Sequence, residues 1–231
     1  MARKKIGISC VLPAYNEEKN VEKAIKEAIK VFVEFGLDYE IIVVDDGSED
    51  GTSKLTLDMA KKNKNIRLLK HPTNLGYADA LRTGFKSASK NYIFYTDTDN
   101  QFDLGDIKKA LPLIREADIV IGYRSKKAIN IVRKVGSFGY NLLARKLLEL
   151  DVKDIDCAFK LFRCEVFDKI EIETKDWLVD AEIIAKARKN NMTIKEIEVK
   201  HLPRKKGKVT VKTGDVVKSF KGLLSLKRIM K

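Results

Sequence analysis

The sequence predicts an α/β protein built on a mostly parallel sheet with helices on both faces. Two observations carry this. Short apolar runs rich in β-formers alternate with segments of helical period through the first 125 residues. With 44% hydrophobic residues, a chain of 231 residues can also bury one sizeable core.

The expected strands are "IGISCVL" (6–12), "IIVV" (41–44), "IRLL" (66–69), "YIFYT" (92–96) and "IVI" (119–121). Between the first two, Val21, Ala24, Ile25, Ala28, Ile29, Phe32 and Val33 keep a helical period, with Asn16 or Asn20 as N-cap and Gly36 as the stop. Residues 75–88 and 107–116 are two further helix candidates, giving the order βαβαβαβ. From 136 to 190 the chain reads as mainly helical, and "IKEIEVKHL" (194–202) reads as a late strand.

No run of 18 apolar residues is present, and "MARKKIGISCVLPAYNEE" turns acidic after a short apolar stretch. It reads as a first strand rather than a signal peptide or membrane span. Cys10, Cys157 and Cys164 are an odd number without CxxC spacing, which argues against a disulfide framework or zinc site and for a reducing, cytoplasmic setting. Net charge is +13, and residues 200–231 hold eleven basic side chains against the single acid Asp215. Charge concentrated at one end points to a polyanionic partner: phosphate groups, a membrane surface or nucleic acid.

Ligands of parallel α/β sheets usually sit beyond the carboxyl ends of the strands. The loops expected there are "PAYNEE", "DDGSEDGT" and "DTDNQ". Asp45, Asp46, Gly47 and Ser48 suit either a capped turn or a carboxylate that accepts hydrogen bonds from a base or ribose. Asp97 and Asp99 are one residue apart at the end of an apolar strand, where two anions need a partner to separate their charges. Carboxylate oxygens are the ligands that Mg²⁺ or Mn²⁺ prefers, so a divalent cation bridged to a diphosphate is a candidate.

"VLPAYNEEKNVEKAI", "VVDDGSEDGTSK", "NLGYADALRTGFKSA", "YTDTDNQFDLGDI", "IGYRSKK" and "DIDCAFKLFRCEVF" together resemble, in order and spacing over residues 6 to 210, the family 2 glycosyltransferases. The likeness is to the branch of dolichol-phosphate mannose synthases and related polyprenyl-phosphate sugar transferases. The resemblance implies a GT-A fold over residues 1–210, a GDP- or UDP-hexose donor, and inverting, metal-dependent transfer of mannose or glucose to a polyprenyl (dolichyl) phosphate. By position it implies a nucleoside pocket of Pro13, Ala14, Tyr15, Glu17, Val44 and Asp46, and a Mg²⁺ or Mn²⁺ and diphosphate motif of Asp97, Asp99 and Gln101. It implies an acceptor-phosphate site of Arg124, Arg133 and Ser137, and an acid near the acceptor at Asp154, with Asp156 as the fallback. "HLPRKKGKVTVKT" (201–213) resembles the family's basic loop over the donor diphosphate, with Arg204 and Lys208 as phosphate contacts, although Val209 stands where a small hydroxyl residue is expected.

Many relatives continue into transmembrane helices, whereas residues 211–231 here read as a basic amphipathic helix. Val216, Val217, Phe220, Leu223 and Leu224 form its apolar stripe, and Lys218, Lys221, Lys227, Arg228 and Lys231 its charge. Such a helix either lies in an anionic bilayer surface, on the cytoplasmic face of the cell membrane, or packs on protein. Whether a separate membrane protein supplies further helices stays open. The alternatives are a family relative with a soluble saccharide or other lipid acceptor and, outside enzymes, a nucleotide- or nucleic-acid-binding module. The last lacks an aromatic-and-basic RNA motif, so nucleic acid is not an expected partner.

Overall fold

A computed structural model describes residues 5–124, 148, 150–175, 178–203 and 223. Its centre is a seven-stranded sheet. The strands are β1 (Gly7–Ala14), β2 (Asp38–Asp45), β3 (Ile66–Lys70), β4 (Tyr92–Thr96), β5 (Ile119–Arg124), β6 (Phe159–Arg163) and β7 (Ile194–Val199), in the order β3-β2-β1-β4-β6-β5-β7. All neighbours pair in parallel except β6, which runs antiparallel to both β4 and β5. β4, β5 and β7 therefore point the same way as β1 and β2. Their carboxyl ends share one sheet edge with the amino end of β6.

Helices α1 (Val21–Glu34), α2 (Thr52–Ala60), α3 (Tyr77–Lys86), α4 (Ile107–Leu113), α5 (Val166–Lys169) and α6 (Val179–Lys189) complete the described fold. Successive side chains of a strand point to opposite faces, so Phe94 and Tyr95 sort the layers. Phe94 meets Phe32 of α1 edge-on at 6.4 Å, and Tyr95 meets Phe85 of α3 at 5.8 Å. Helices thus cover both faces. Phe32, Phe94, Tyr95, Phe159 and Phe162 are almost fully enclosed, and each such side chain contributes about 1.5–3 kcal/mol of burial.

The α1 pattern closes as the sequence predicts. Gly36 adopts φ +64°, and the amides of Gly36 and Leu37 return to the carbonyls of Val33 and Phe32 at 3.0 and 2.9 Å. This is a glycine stop that satisfies two orphan carbonyls. At the other end Asn20 holds the cap position, but its side-chain amide bonds Glu17 Oε2 at 2.5 Å and caps no helical amide.

Three expectations need correction. The segment 136–190 is not mainly helical where it is described, because Phe159–Arg163 is a buried strand and only α5 and α6 are helical there. A lysine inside "FKLFR" hides that strand from any apolar-run reading. β4 accordingly lies between one parallel and one antiparallel neighbour, not inside a wholly parallel sheet. The helix expected over 107–116 stops at Leu113 after a 3₁₀ turn at Leu104–Asp106, and α2 is an element the sequence reading did not delimit. No helix among the described residues is long and apolar enough to cross a membrane. Of the C-terminal helix expected over 211–231, Leu223 is the one described residue, helical and fully buried in the core.

Candidate active site

Two of the three expected loops are laced together by side chains chosen for it. After β1 the chain turns through Asn16 at φ +55°. Its amide donates to Ser48 Oγ at 2.9 Å, and its side-chain oxygen accepts from the Glu49 amide at 3.0 Å. The Glu17 amide donates to Thr52 Oγ1 at 2.9 Å, and Glu18 Oε2 accepts from the Gly51 amide at 2.9 Å. From β4, Thr98 Oγ1 donates to the Pro13 carbonyl at 2.6 Å. "PAYNEE" is therefore clamped on both sides, with Pro13, Ala14 and Val44 buried and Tyr15 and Glu17 half-buried at its rim.

The two readings of "DDGS" divide between its aspartates. Asp45 is the structural one, accepting from the Ser48 amide at 2.8 Å and from Ser53 Oγ. Asp46 anchors the 71–76 segment. Its Oδ1 lies 2.7 Å from His71 Nδ1 and accepts from the Leu75 amide at 2.9 Å, and its Oδ2 accepts from the Gly76 amide at 2.9 Å. The other ring nitrogen of His71 is 2.9 Å from Thr83 Oγ1 on α3. Gly47 makes this packing possible: at φ +73°, a Cβ there would sit 2.4 Å from the Thr73 carbonyl carbon. The sequence reading missed His71. A histidine directly after β3, at the ligand edge, was the available signal.

Asp97 and Asp99 flank buried Thr98 at the end of β4. Asp97 Oδ1 accepts from Tyr77 Oη at 2.9 Å, and Asp99 Oδ1 accepts from the Gln101 amide at 3.0 Å. Lost solvation first, and then the Asp99 charge, push the Asp97 carboxyl up to about 7. A cation beside the pair would relieve both causes. Among the described residues no three His, Cys, Asp or Glu side chains form a metal cage. Two carboxylates fit Mg²⁺ or Mn²⁺ when water and a diphosphate complete the shell. Gln101 instead binds the segment that follows β7, donating from Nε2 to the Leu202 carbonyl at 3.2 Å while its backbone carbonyl accepts from the Leu202 amide at 2.7 Å. Those two bonds hold Leu202 against the Asp97 loop.

Arg124 ends β5 and Asp154 lies on the turn before β6. Arg124 Nε and Nη2 each reach Asp154 at 2.7 Å, and its backbone amide adds a 3.2 Å bond. Despite partial burial, the guanidinium holds the Asp154 carboxyl below the usual carboxylate range. Asp156, two residues on, goes the other way: burial first, then the charges of Asp180 and Asp154, push it up to about 7. Of the two acids, only Asp156 has proton affinity suited to a base at neutral pH. Arg133, Ser137, Arg204 and Lys208 lie outside the described residues.

Residues 9–171 match the family model described as glycosyl transferase family 2. Over 217 residues the chain is 31% identical to a dolichyl-phosphate beta-glucosyltransferase of Dictyostelium discoideum, a match covering 84% of this chain and 66% of that protein. Over 228 residues it is 29% identical to glycosyltransferase AglD of Haloferax volcanii, covering 94% of this chain and 36% of that one. The chain thus spans at most about two thirds of the length of these curated relatives. A crystal structure of glucosyl-3-phosphoglycerate synthase from Mycobacterium tuberculosis, in complex with Mn²⁺, UDP-glucose and phosphoglyceric acid, superposes with a TM-score of 0.72 at 18% identity, covering 96% of this chain and 80% of that chain. That likeness extends the GT-A architecture to the whole described sheet. With the family motifs standing together at one sheet edge, the chain belongs to glycosyl transferase family 2.

Proposed function

We propose that this chain is the catalytic domain of an inverting hexosyltransferase that moves glucose or mannose from a UDP- or GDP-sugar to a polyprenyl phosphate of the dolichyl type. The observation that carries it is the pairing at one edge of the acidic Asp97–Asp99 corner on β4 with the ion-paired Arg124 on β5. One suits a cation and diphosphate, the other an anionic acceptor. The relative named as a dolichyl-phosphate glucosyltransferase supports glucose and a lipid phosphate, and the Mn²⁺ and UDP-glucose named for the solved relative support a metal-bound uridine donor.

Tyr15, Glu17 and Val44, backed by Pro13 and Ala14, would form the nucleoside wall, shaped from behind by Asp46. Asp97 and Asp99 would hold the divalent cation through hard oxygen donors. When bound, that cation supplies Lewis-acid neutralisation of charge on the departing diphosphate. Arg204 and Lys208 would add charge-assisted hydrogen bonds there. An acceptor phosphate is anionic near neutrality and needs no strong base, so Arg124, with Arg133 and Ser137, would mainly orient it. Its oxygen bonds to the anomeric carbon as the bond to the diphosphate breaks, and the nucleoside diphosphate leaves with that electron pair. Asp154, held ionised by Arg124, fits an orienting role better than proton abstraction.

A second reading rests on Asp156. A carboxyl pushed up to about 7 could take a proton from a sugar hydroxyl, as a saccharide acceptor would require. The basic run 200–231 supports a peripheral seat on an anionic membrane surface facing the cytoplasm, with or without a separate membrane protein.

Calorimetry with UDP, GDP, UDP-glucose and GDP-mannose, in Mn²⁺ and then in EDTA, tests the donor, with Asp99→Ala as control. Metal-dependent binding of one nucleotide, lost in the variant, followed by label transfer to polyprenyl phosphate, is the expected result. Binding of none of the four would remove the transferase reading.

A further inference from the structure

Lys160 is completely buried, yet it lies in the middle strand between the two halves of the site, paired in register with Tyr95 of β4 and Ile121 of β5. Its ammonium reaches Asp180 Oδ1 at 2.7 Å and the carbonyls of Cys157 and Ile155 at 2.7 and 2.9 Å. Three donors thus meet three oxygens, with Tyr95 Oη at 3.3 Å as a weaker fourth contact. The two carbonyls belong to the turn that carries Asp154 and Asp156. Asp180 accepts from Tyr95 Oη on β4, two residues before Asp97, while Tyr77 donates separately to Asp97. One cation therefore grips the acceptor-side turn directly and, through Asp180 and the Tyr95 phenol, the strand that leads into the donor-side carboxylates.

We propose that Lys160 is the positioning residue that registers the Asp97 corner of the donor site, at the end of β4, against the Arg124–Asp154 corner of the acceptor site, acting through Asp180 and Tyr95. This rests on the transferase reading above. The burial supports it: an isolated charge is costly to bury, and a methionine would fill the same space without that cost, so a core role alone does not account for lysine. Burial and then the Asp180 charge also push the Tyr95 phenol well above its ordinary range, which keeps it a hydrogen-bond donor.

The test separates folding from registration. Lys160→Met with Asp180→Asn removes the ion pair as a pair, leaving no lone buried charge, and its thermal midpoint reports folding. In the folded double variant, kcat for transfer to polyprenyl phosphate is expected to fall by about tenfold or more, the KM for that acceptor to rise, and calorimetric affinity for Mn²⁺ with UDP or GDP to fall about tenfold. Tyr95→Phe cuts only the link between that ion pair and β4. It should weaken Mn²⁺-dependent nucleotide binding while leaving the acceptor KM at the wild-type value. A folded double variant with wild-type kcat, KM and affinity would overturn the proposal. Should the double variant not fold, wild-type Mn²⁺ and nucleotide affinity in Tyr95→Phe would overturn it instead. Wild-type protein that binds none of the nucleotides marks a different failure, that of the donor reading, and this assignment falls with it.

Discussion

Arg124 and Asp154 form a two-point ion pair at the sheet edge, each guanidinium nitrogen 2.7 Å from its own carboxylate oxygen. The pair fixes the guanidinium at the proposed acceptor side and keeps the acid ionised. Asp154→Asn retains the shape and removes the charge. The KM for polyprenyl phosphate should rise about tenfold, and urea unfolding should show a loss of about 1.5–3 kcal/mol, the range for hydrogen bonds to charged groups. Mn²⁺-dependent nucleotide affinity should not change. A loss of kcat of a hundredfold or more with KM unchanged would instead point to proton transfer at Asp154.

Asp156 provides a pH test with the opposite sign from an ordinary paired carboxylate. Its folded value is raised to about 7. The native state therefore holds the proton more tightly than the unfolded chain, whose aspartates titrate at about 3.9. Stability from this group is fully present below that unfolded value and is lost as pH rises to about 7. Asp156→Asn should match the wild-type thermal midpoint near pH 4 and exceed it by about 2–4 °C at pH 8. Equal midpoints at both pH values would contradict the assignment. If the acceptor is a phosphate, turnover survives in this variant; a collapse of about 10²-fold or more would favour a hydroxyl acceptor with Asp156 as base.

Gly47→Ala would place a methyl group 2.4 Å from the Thr73 carbonyl carbon and 2.6 Å from the Asn74 nitrogen, both backbone atoms that cannot swing aside. The positive φ adds strain, so a loss of about 2–3 kcal/mol in denaturant unfolding is expected. Because Asp46 holds the same 71–76 segment, nucleotide affinity should fall with it. Unchanged stability would mean that the two loops do not pack as described.

The charge of residues 200–231 predicts salt-sensitive membrane binding by the full chain. It should float with vesicles rich in phosphatidylglycerol and not with phosphatidylcholine vesicles, at about 1 kcal/mol per basic residue near the surface. Raising the salt from 0.1 to 0.5 M should release it. Retention at high salt would point to apolar insertion or a protein partner instead.

The sequence by itself determined the alternation of strands and helices, the glycine stop of α1 and the three polar loops at the ligand edge. These depend on local period, turn chemistry and charge, which short windows carry. Asp97 and Asp99 were legible because two carboxylates one residue apart after an apolar strand are a local conflict that asks for an explanation. Only the tertiary structure decided that "FKLFR" is a central antiparallel strand. It likewise decided that Asp46 is spent on His71 and two backbone amides, that Gln101 serves Leu202, and that Asp154 and Asp156 have opposite proton affinities. Each depends on partners far away in the chain: a lysine looks like surface until Asp180, two carbonyls and the walls of a sheet enclose it, and an aspartate's charge state is set by what folding brings beside it.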